Sequence, residues 1–189
     1  MIIGILALQG AFFEHKQALE KLGVHSIEVR NKQDLKKCSS LILPGGESTT
    51  ISQLLEQTCL DKEITKRVKK GMHVFATCAG ALVLAKKVIG EKCYKPLKLI
   101  DMDISRNAYG RQIDSFETGL DIKGFKKDFH GIFIRAPIIK RTGKKVEVLA
   151  RFKGKPVLLK QENIMVATFH PELTDDLRLH HYFIAHAHS

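Results

Sequence analysis

His73-Val74-Phe75-Ala76-Thr77-Cys78-Ala79-Gly80 is the stretch that decides the fold. An apolar run of strand length meets a cysteine, and helix formers follow from Ala81 to Lys87. Only small residues surround the corner. That is the layout of a nucleophile elbow, a tight strand-to-helix turn that lifts one side chain above a sheet's edge and leaves no room for bulky neighbours. Upstream, residues 2–8 form a continuous apolar run closed by Gln9-Gly10, as a strand buried on both faces reads. Residues 11–22 place Phe12, His15, Leu19 and Leu22 at helical spacing, with Gly23 as the cap. Strands are predicted at 25–29 and 40–43, the second stopped by Pro44-Gly45-Gly46, then helices at 48–57 and 61–70. The order β-α-β-β-α-α-β-α predicts an α/β fold: a three-layer, open, mostly parallel sheet of flavodoxin-like type.

Downstream the pattern changes to short extended runs at 97–105, 112–122, 131–135, 146–152, 156–161 and 164–169. Gly154-Lys155 and Glu162-Asn163 are expected hairpin turns, so antiparallel strands are added in the second half. A helix over 175–187, capped by Thr174, closes the chain. No repeat, linker or low-complexity segment divides the 189 residues, and a single domain spanning 1–189 is expected.

Composition narrows the classes. No apolar stretch approaches the ~18 residues of a membrane span, and residues 1–8 lack the features of a signal peptide. A soluble, cytoplasmic protein with reduced thiols is expected, with no membrane partner. The four cysteines include no C-x-x-C pair, so no metal site is expected. The net charge of +11 suits an acidic partner, but the basic runs at 66–70, 86–87 and 140–145 carry no interleaved aromatics for stacking bases. Nucleic acid is therefore not the expected partner. The runs read as solvated surface or as a protein-docking face.

Three segments can carry chemistry. Cys78 at the elbow sits at a helix N-terminus, which favours a thiolate, and the next backbone N–H is placed to bind an oxyanion. A small buried core cysteine gives the same local pattern. A thiol nucleophile needs a base and the base an orienting group. His170 follows the strand at 164–169, and Glu172 lies two residues on across Pro171, so both can project to one side. An ordinary loop histidine is the plain reading of the same residues, as His15 on its apolar helix face reads as core. Third, Pro44-Gly45-Gly46-Glu47-Ser48 ends a strand and opens a helix, either a ligand-approaching loop or a simple turn. It lacks the G-K-[ST] ending of a phosphate loop.

The Leu43-Pro-Gly-Gly-Glu-Ser-Thr49 loop, the Ala76-Thr-Cys-Ala-Gly80 elbow and the Thr168-Phe-His-Pro-Glu-Leu173 segment together resemble the class I glutamine amidotransferases. Within them the chain is most similar to the glutaminase subunits that serve pyridoxal 5′-phosphate synthases. Leu8-Gln-Gly-Ala11 with Glu14-His15, the segment from Arg106 to Gln112, Phe133 to Pro137 and Pro171 to Arg178 extend the likeness over essentially the whole chain. The wider class has G-x-C-x-G at the elbow, where Ala76 here replaces the first glycine. The resemblance implies hydrolysis of L-glutamine to L-glutamate and ammonia through Cys78, His170 and Glu172 and a glutamyl thioester, with no cofactor. It implies an oxyanion hole from Gly46 and Ala79, and glutamine contacts from Gly46, Glu47, Ser48, Arg106, Ile134 and Arg135. It also implies, within a large hetero-oligomer, a partner that takes the ammonia: a pyridoxal 5′-phosphate synthase subunit. Another cysteine hydrolase on a flavodoxin-like fold is the rival reading, and the late His-Pro-Glu segment argues against it.

Overall fold

The computed structural model describes residues 2–90, 95–106 and 115–187. Its first half runs β1 (Ile3–Leu6), α1 (Phe12–Lys21), β2 (Ser26–Val29), α2 (Lys32–Lys36), β3 (Ser40–Leu43), α3 (Ser48–Gln57), α4 (Leu60–Val68), β4 (His73–Thr77) and α5 (Ala79–Leu84). Then come β5 (Ala85–Ile89), β6 (Ile100–Ser105), β7 (Ser115–Leu120), β8 (Phe129–Ile134), β9 (Ile138–Thr142), β10 (Glu147–Phe152), β11 (Lys155–Gln161) and β12 (Ile164–Ala167). A 3-10 turn at Pro171–Leu173 and α6 (Arg178–Ala187) end the chain.

Seven strands form the central sheet in the order β10-β11-β12-β4-β3-β1-β2. From β12 to β2 the pairings are parallel, and β11 and β10 extend that edge antiparallel. Alternation along the strands sorts two cores. Leu41, Leu43, Val74, Ala76, Ile164 and Val166 pack toward Leu35, Ile51, Ile64 and Leu82 of α2 to α5. Ile3, Ile5, Ile42, Phe75, Met165 and Ala167 face Leu19 of α1 and Leu179 and Phe183 of α6. Helices on both faces of a mostly parallel sheet are the architecture the sequence predicted. Strands buried on both faces explain the unbroken apolar runs at β1, β3, β4 and β12. A three-stranded sheet, β5-β6-β9, and a β7-β8 ribbon are added beside it.

Several boundaries differ from expectation. The short α2 is extra; Asn31 Oδ1 caps it by accepting from the Asp34 N–H at 3.0 Å. Helix α5 stops at Leu84, and residues expected to continue it form β5, because the Leu97, Lys98 and Leu99 N–H groups take the carbonyls of Val83, Ala85 and Leu84. Strand β9 falls where a basic run was read, and Arg141 within it pairs with Asp101 and Asp103. The β10–β11 turn is Lys153-Gly154, one residue early, with φ of 47° and 76°. Helix α6 begins at Arg178 rather than 175. Thr174 Oγ1 accepts from Asp176 N–H, and the Asp176 carboxylate from Arg178 N–H, so Thr174 is not the direct cap. Cys93, residues 107–114 of the expected Arg106–Gln112 motif and 112–122 strand, and His188 lie outside the described residues. Among those described, no helix is long and apolar enough to cross a membrane.

Candidate active site

Cys78 is where the sheet hands the chain to α5. Its backbone has φ 45° and ψ −104°, a strained position for a residue with a Cβ. Strand pairing enforces it, since the Cys78 N–H donates to the Ala167 carbonyl of β12 at 2.9 Å. The small residues after it are a packing requirement. A Cβ on Gly80 would lie 2.3 Å from the Leu43 carbonyl oxygen. The Cys78 Sγ is 3.8 Å from the Ile134 carbonyl oxygen, which brings β8 to the site.

His170 leaves the end of β12, and its N–H donates to the Ile132 carbonyl at 2.8 Å. Nδ1 lies 2.7 Å from Glu172 Oε1, and only 7% of each residue is exposed. Burial would lower the histidine's pKa, but hydrogen bonds and charge from Cys78 and Glu172 outweigh it and raise the value to about 10. The neighbouring groups therefore favour an imidazolium paired with the Glu172 carboxylate. Burial would raise Glu172, yet His15 and His170 hold it below its ordinary value.

The glycine loop is braced by the segment between β1 and α1 and by the end of β4. The Gly45 N–H donates to Thr77 Oγ1 at 3.1 Å, and the Gly45 carbonyl accepts from the Ala11 N–H at 3.0 Å. Since the peptide is trans and planar, the Gly46 N–H points to the side opposite that carbonyl. Gly10, at φ 101°, leaves room for this contact; a Cβ there would sit 1.9 Å from the Gly45 oxygen. The Glu47 N–H donates to Gln9 Oε1 at 2.7 Å.

A cavity of about 450 Å³ opens over these groups, within the range of small-molecule sites. Gly46, Glu47, Ser48, Cys78, Ala79, Arg106, Ile134, Arg135 and His170 all line it, while Glu172 lies behind His170. The Ala79 N–H opens α5, in whose first turn the N–H groups have no partner within the helix. The Glu47 side chain has a structural task as well. Its carboxylate caps α3, accepting from the Thr49 and Thr50 N–H groups at 3.1 and 2.6 Å, and pairs with Arg106 Nη2 at 2.9 Å. Burial is the largest single influence and opposes ionisation, but the Thr50 and Thr49 hydrogen bonds together outweigh it and lower its pKa to about 2.

Sequence reasoning gave no role at the site to Gln9, Thr77 or His15, and took Gly45 only as one of two glycines that let the loop approach a ligand. Thr77 gave a signal, a polar residue closing an otherwise apolar buried strand. His15 is buried, as expected of a core histidine, yet its Nε2 is 3.4 Å from Glu172 Oε2. Among the described residues no group of three or more His, Cys, Asp or Glu could hold a metal.

A cysteine on an elbow beside a carboxylate-backed histidine, at the carboxyl ends of parallel strands, is an arrangement suited to a nucleophilic thiol and its base. Comparison with known proteins specifies it: residues 5–189 match the SNO glutamine amidotransferase family, and the chain belongs to that family. It is 51% identical over 187 residues to the Thermotoga maritima protein named pyridoxal 5′-phosphate synthase subunit PdxT, covering 97% of this chain and 98% of that one. A Thermus thermophilus protein of the same name is 48% identical over 184 residues, covering 97% and 96%. A crystal structure of a glutamine amidotransferase superposes with a TM-score of 0.96 at 47% identity, with each chain fully covered. A putative GMP synthase component from Thermoplasma acidophilum shares the fold at TM-score 0.70 and 14% identity, covering all of this chain and 94% of that one.

Proposed function

We propose that this chain is the glutaminase subunit of a pyridoxal 5′-phosphate synthase, acting as one cytoplasmic domain over residues 1–189 and supplying ammonia to a synthase subunit in a large hetero-oligomer. The observation that carries the chemical reading is the Cys78–His170–Glu172 grouping beside the cavity, with His170 Nδ1 2.7 Å from the Glu172 carboxylate. The Cys78 sulfur attacks the side-chain amide carbon of L-glutamine. N–H groups of Gly46 and Ala79 receive the developing oxyanion. His170, carrying the proton that left the thiol, gives it to the departing nitrogen, and ammonia leaves a glutamyl thioester. Neutral His170 then takes a proton from water, the resulting hydroxide attacks the thioester carbon, the carbon–sulfur bond breaks, and glutamate departs, leaving the free Cys78 sulfur sharing the proton now on His170. Glu172 holds the imidazole in one orientation and stabilises its charge. Glu47, Ser48, Arg106, Ile134 and Arg135 line the cavity and are assigned to the amino-acid end of glutamine.

The relatives' names support the partner assignment. The test is nitrogen transfer. The chain is combined with a pyridoxal 5′-phosphate synthase catalytic subunit, ribose 5-phosphate, glyceraldehyde 3-phosphate and glutamine labelled with 15N at the amide. Label in the pyridoxal ring nitrogen is expected. Glutamate release without labelled product would leave a glutaminase and remove the proposed partner.

A further inference from the structure

The geometry points to His15 as a positioning residue for the catalytic carboxylate: a neutral imidazole whose Nε2–H donates to the Glu172 oxygen that His170 does not use. This rests on the proposed triad and extends it to α1 and α6.

His15 and His180 are both fully buried, on α1 and α6 respectively. His15 Nδ1 is 3.0 Å from His180 Nε2. On its other side, His15 Nε2 is 3.4 Å from Glu172 Oε2 and 3.1 Å from Thr77 Oγ1. Burial first, and His15 second, push His180 down to about 3, and burial also lowers His15, so both rings are neutral near pH 7. The charged or titratable groups acting on His15 are Glu172, His170 and Glu14, with His180 against its Nδ1.

A neutral histidine has one N–H, and the arrangement decides which nitrogen carries it. Glu172 Oε2 and His180 Nδ1 are both buried without a close hydrogen-bond partner, and Oε2 has His15 Nε2 3.4 Å away. Were His15 protonated on Nδ1, its Nε2 lone pair would face the carboxylate, and His180 Nδ1 would be a buried N–H without an acceptor. With the proton on Nε2, His15 supplies the missing donor to Oε2. His180 Nε2–H then donates to His15 Nδ1, and His180 Nδ1 is left as a bare lone pair. A buried carboxylate oxygen left facing a lone pair is the more expensive arrangement, so the second pattern is selected. It runs as one chain of hydrogen bonds, His180 to His15 to Glu172 to His170. At Thr77, His15 also meets the hydroxyl that accepts the Gly45 N–H, so one ring touches the supports of both the base and the glycine loop.

Two side chains separate positioning from packing. A glutamine at position 15 can place an amide N–H where Nε2 lies, whereas an asparagine reaches only the Nδ1 position. In the enzyme assembled with its synthase partner, His15→Asn is expected to lower kcat for glutamate release by about 10- to 100-fold, by analogy with the loss seen when the hydrogen-bond partners that orient metal-ligating side chains are removed. KM should stay within about 2-fold, and His15→Gln should recover most of the loss, as expected for an interaction made at the reacting group rather than in glutamine binding. Equal activity of the two variants would overturn the assignment. Nitrogen-15 NMR of the imidazoles in the unmodified protein is the second measurement and needs no variant. Protonation of His15 at Nε2 is expected; protonation at Nδ1 would refute the proposal. Cys78→Ala run alongside keeps the readings apart: activity surviving that change overturns the triad itself, while its loss with a wild-type His15→Asn overturns only the role of His15.

Discussion

Gly45 is the smallest perturbation that strikes the site's alignment. A Cβ built there lies 2.5 Å from His170 Cε1, 3.1 Å from its Nδ1 and 3.2 Å from Cys78 Cβ. Carbon atoms rest at about 3.5–4.0 Å, so something must move by about 1 Å. Gly45 has no positive φ, so the steric contact alone decides the outcome. The ring cannot easily retreat, because Glu172 holds Nδ1 at 2.7 Å and Ile132 holds the backbone N–H at 2.8 Å. The loop is pinned in turn by Thr77 and Ala11. Overpacking of this kind costs about 1–3 kcal/mol of stability. Misplacing reacting groups by about 1 Å costs on the order of 100-fold in rate, or about 2.7 kcal/mol of barrier. Gly45→Ala should therefore fold with a lowered Tm and lose roughly 100-fold in kcat for glutamate release in the synthase complex. Gly71→Ala is the control: its Cβ meets nothing within 4 Å, though φ is 98°, so stability should fall while kcat holds. A folded Gly45→Ala protein with wild-type kcat would show that the loop does not confine the thiol and the imidazole.

Two further outcomes test the scaffold. Glu47 has a depressed pKa, so its stabilisation is fully present above its ordinary value of 4.5 and is lost as pH falls through about 2. Glu47→Ala should cost about 0.5–2 kcal/mol near pH 7, as lost helix caps do, and the gap to wild type in thermal melts should narrow below pH 4.5; a gap independent of pH would contradict the capping role. Asn163 Nδ2 donates to the Val68 and Met72 carbonyls at 2.9 and 2.6 Å, tying the β11–β12 turn to the end of α4. Asn163→Ala should lower stability by about 1–3 kcal/mol in urea unfolding and leave kcat unchanged well below Tm.

Much of this was legible because strands buried on both faces announce themselves. The runs at β1, β3, β4 and β12 have no polar alternation to confuse their reading, and α3 was placed at its observed bounds. Cys78 and His170 stood out because each follows such a strand, and the sheet's topology makes β4 and β12 neighbours. Losses came where tertiary contacts override local preference. Residues 85–87, Ala-Lys-Lys, have helical propensity, but the Leu97–Leu99 backbone claims the carbonyls that a longer α5 would use. Lys140 and Arg141 are exposed, as a solvated run should be, but the pairing of Arg141 with Asp101 and Asp103 was not legible because those carboxylates are remote in sequence. His15 was legible as a core residue and illegible as a neighbour of Glu172, because α1 and the 3-10 turn meet only in the folded chain. Gly45 shows the same limit: two glycines after a strand announce a close approach, not what approaches.

Glutamine hydrolysis is assigned to Cys78, served by His170 and Glu172. Glutamate release from L-glutamine by the chain docked to its synthase partner, native against Cys78→Ala at matched folded concentration, tests it most directly. Release that is stimulated by the partner and falls to background in the variant is the expected result. Release that persists in Cys78→Ala would rule out Cys78 as the nucleophile, since no other thiol among the described residues lines the cavity.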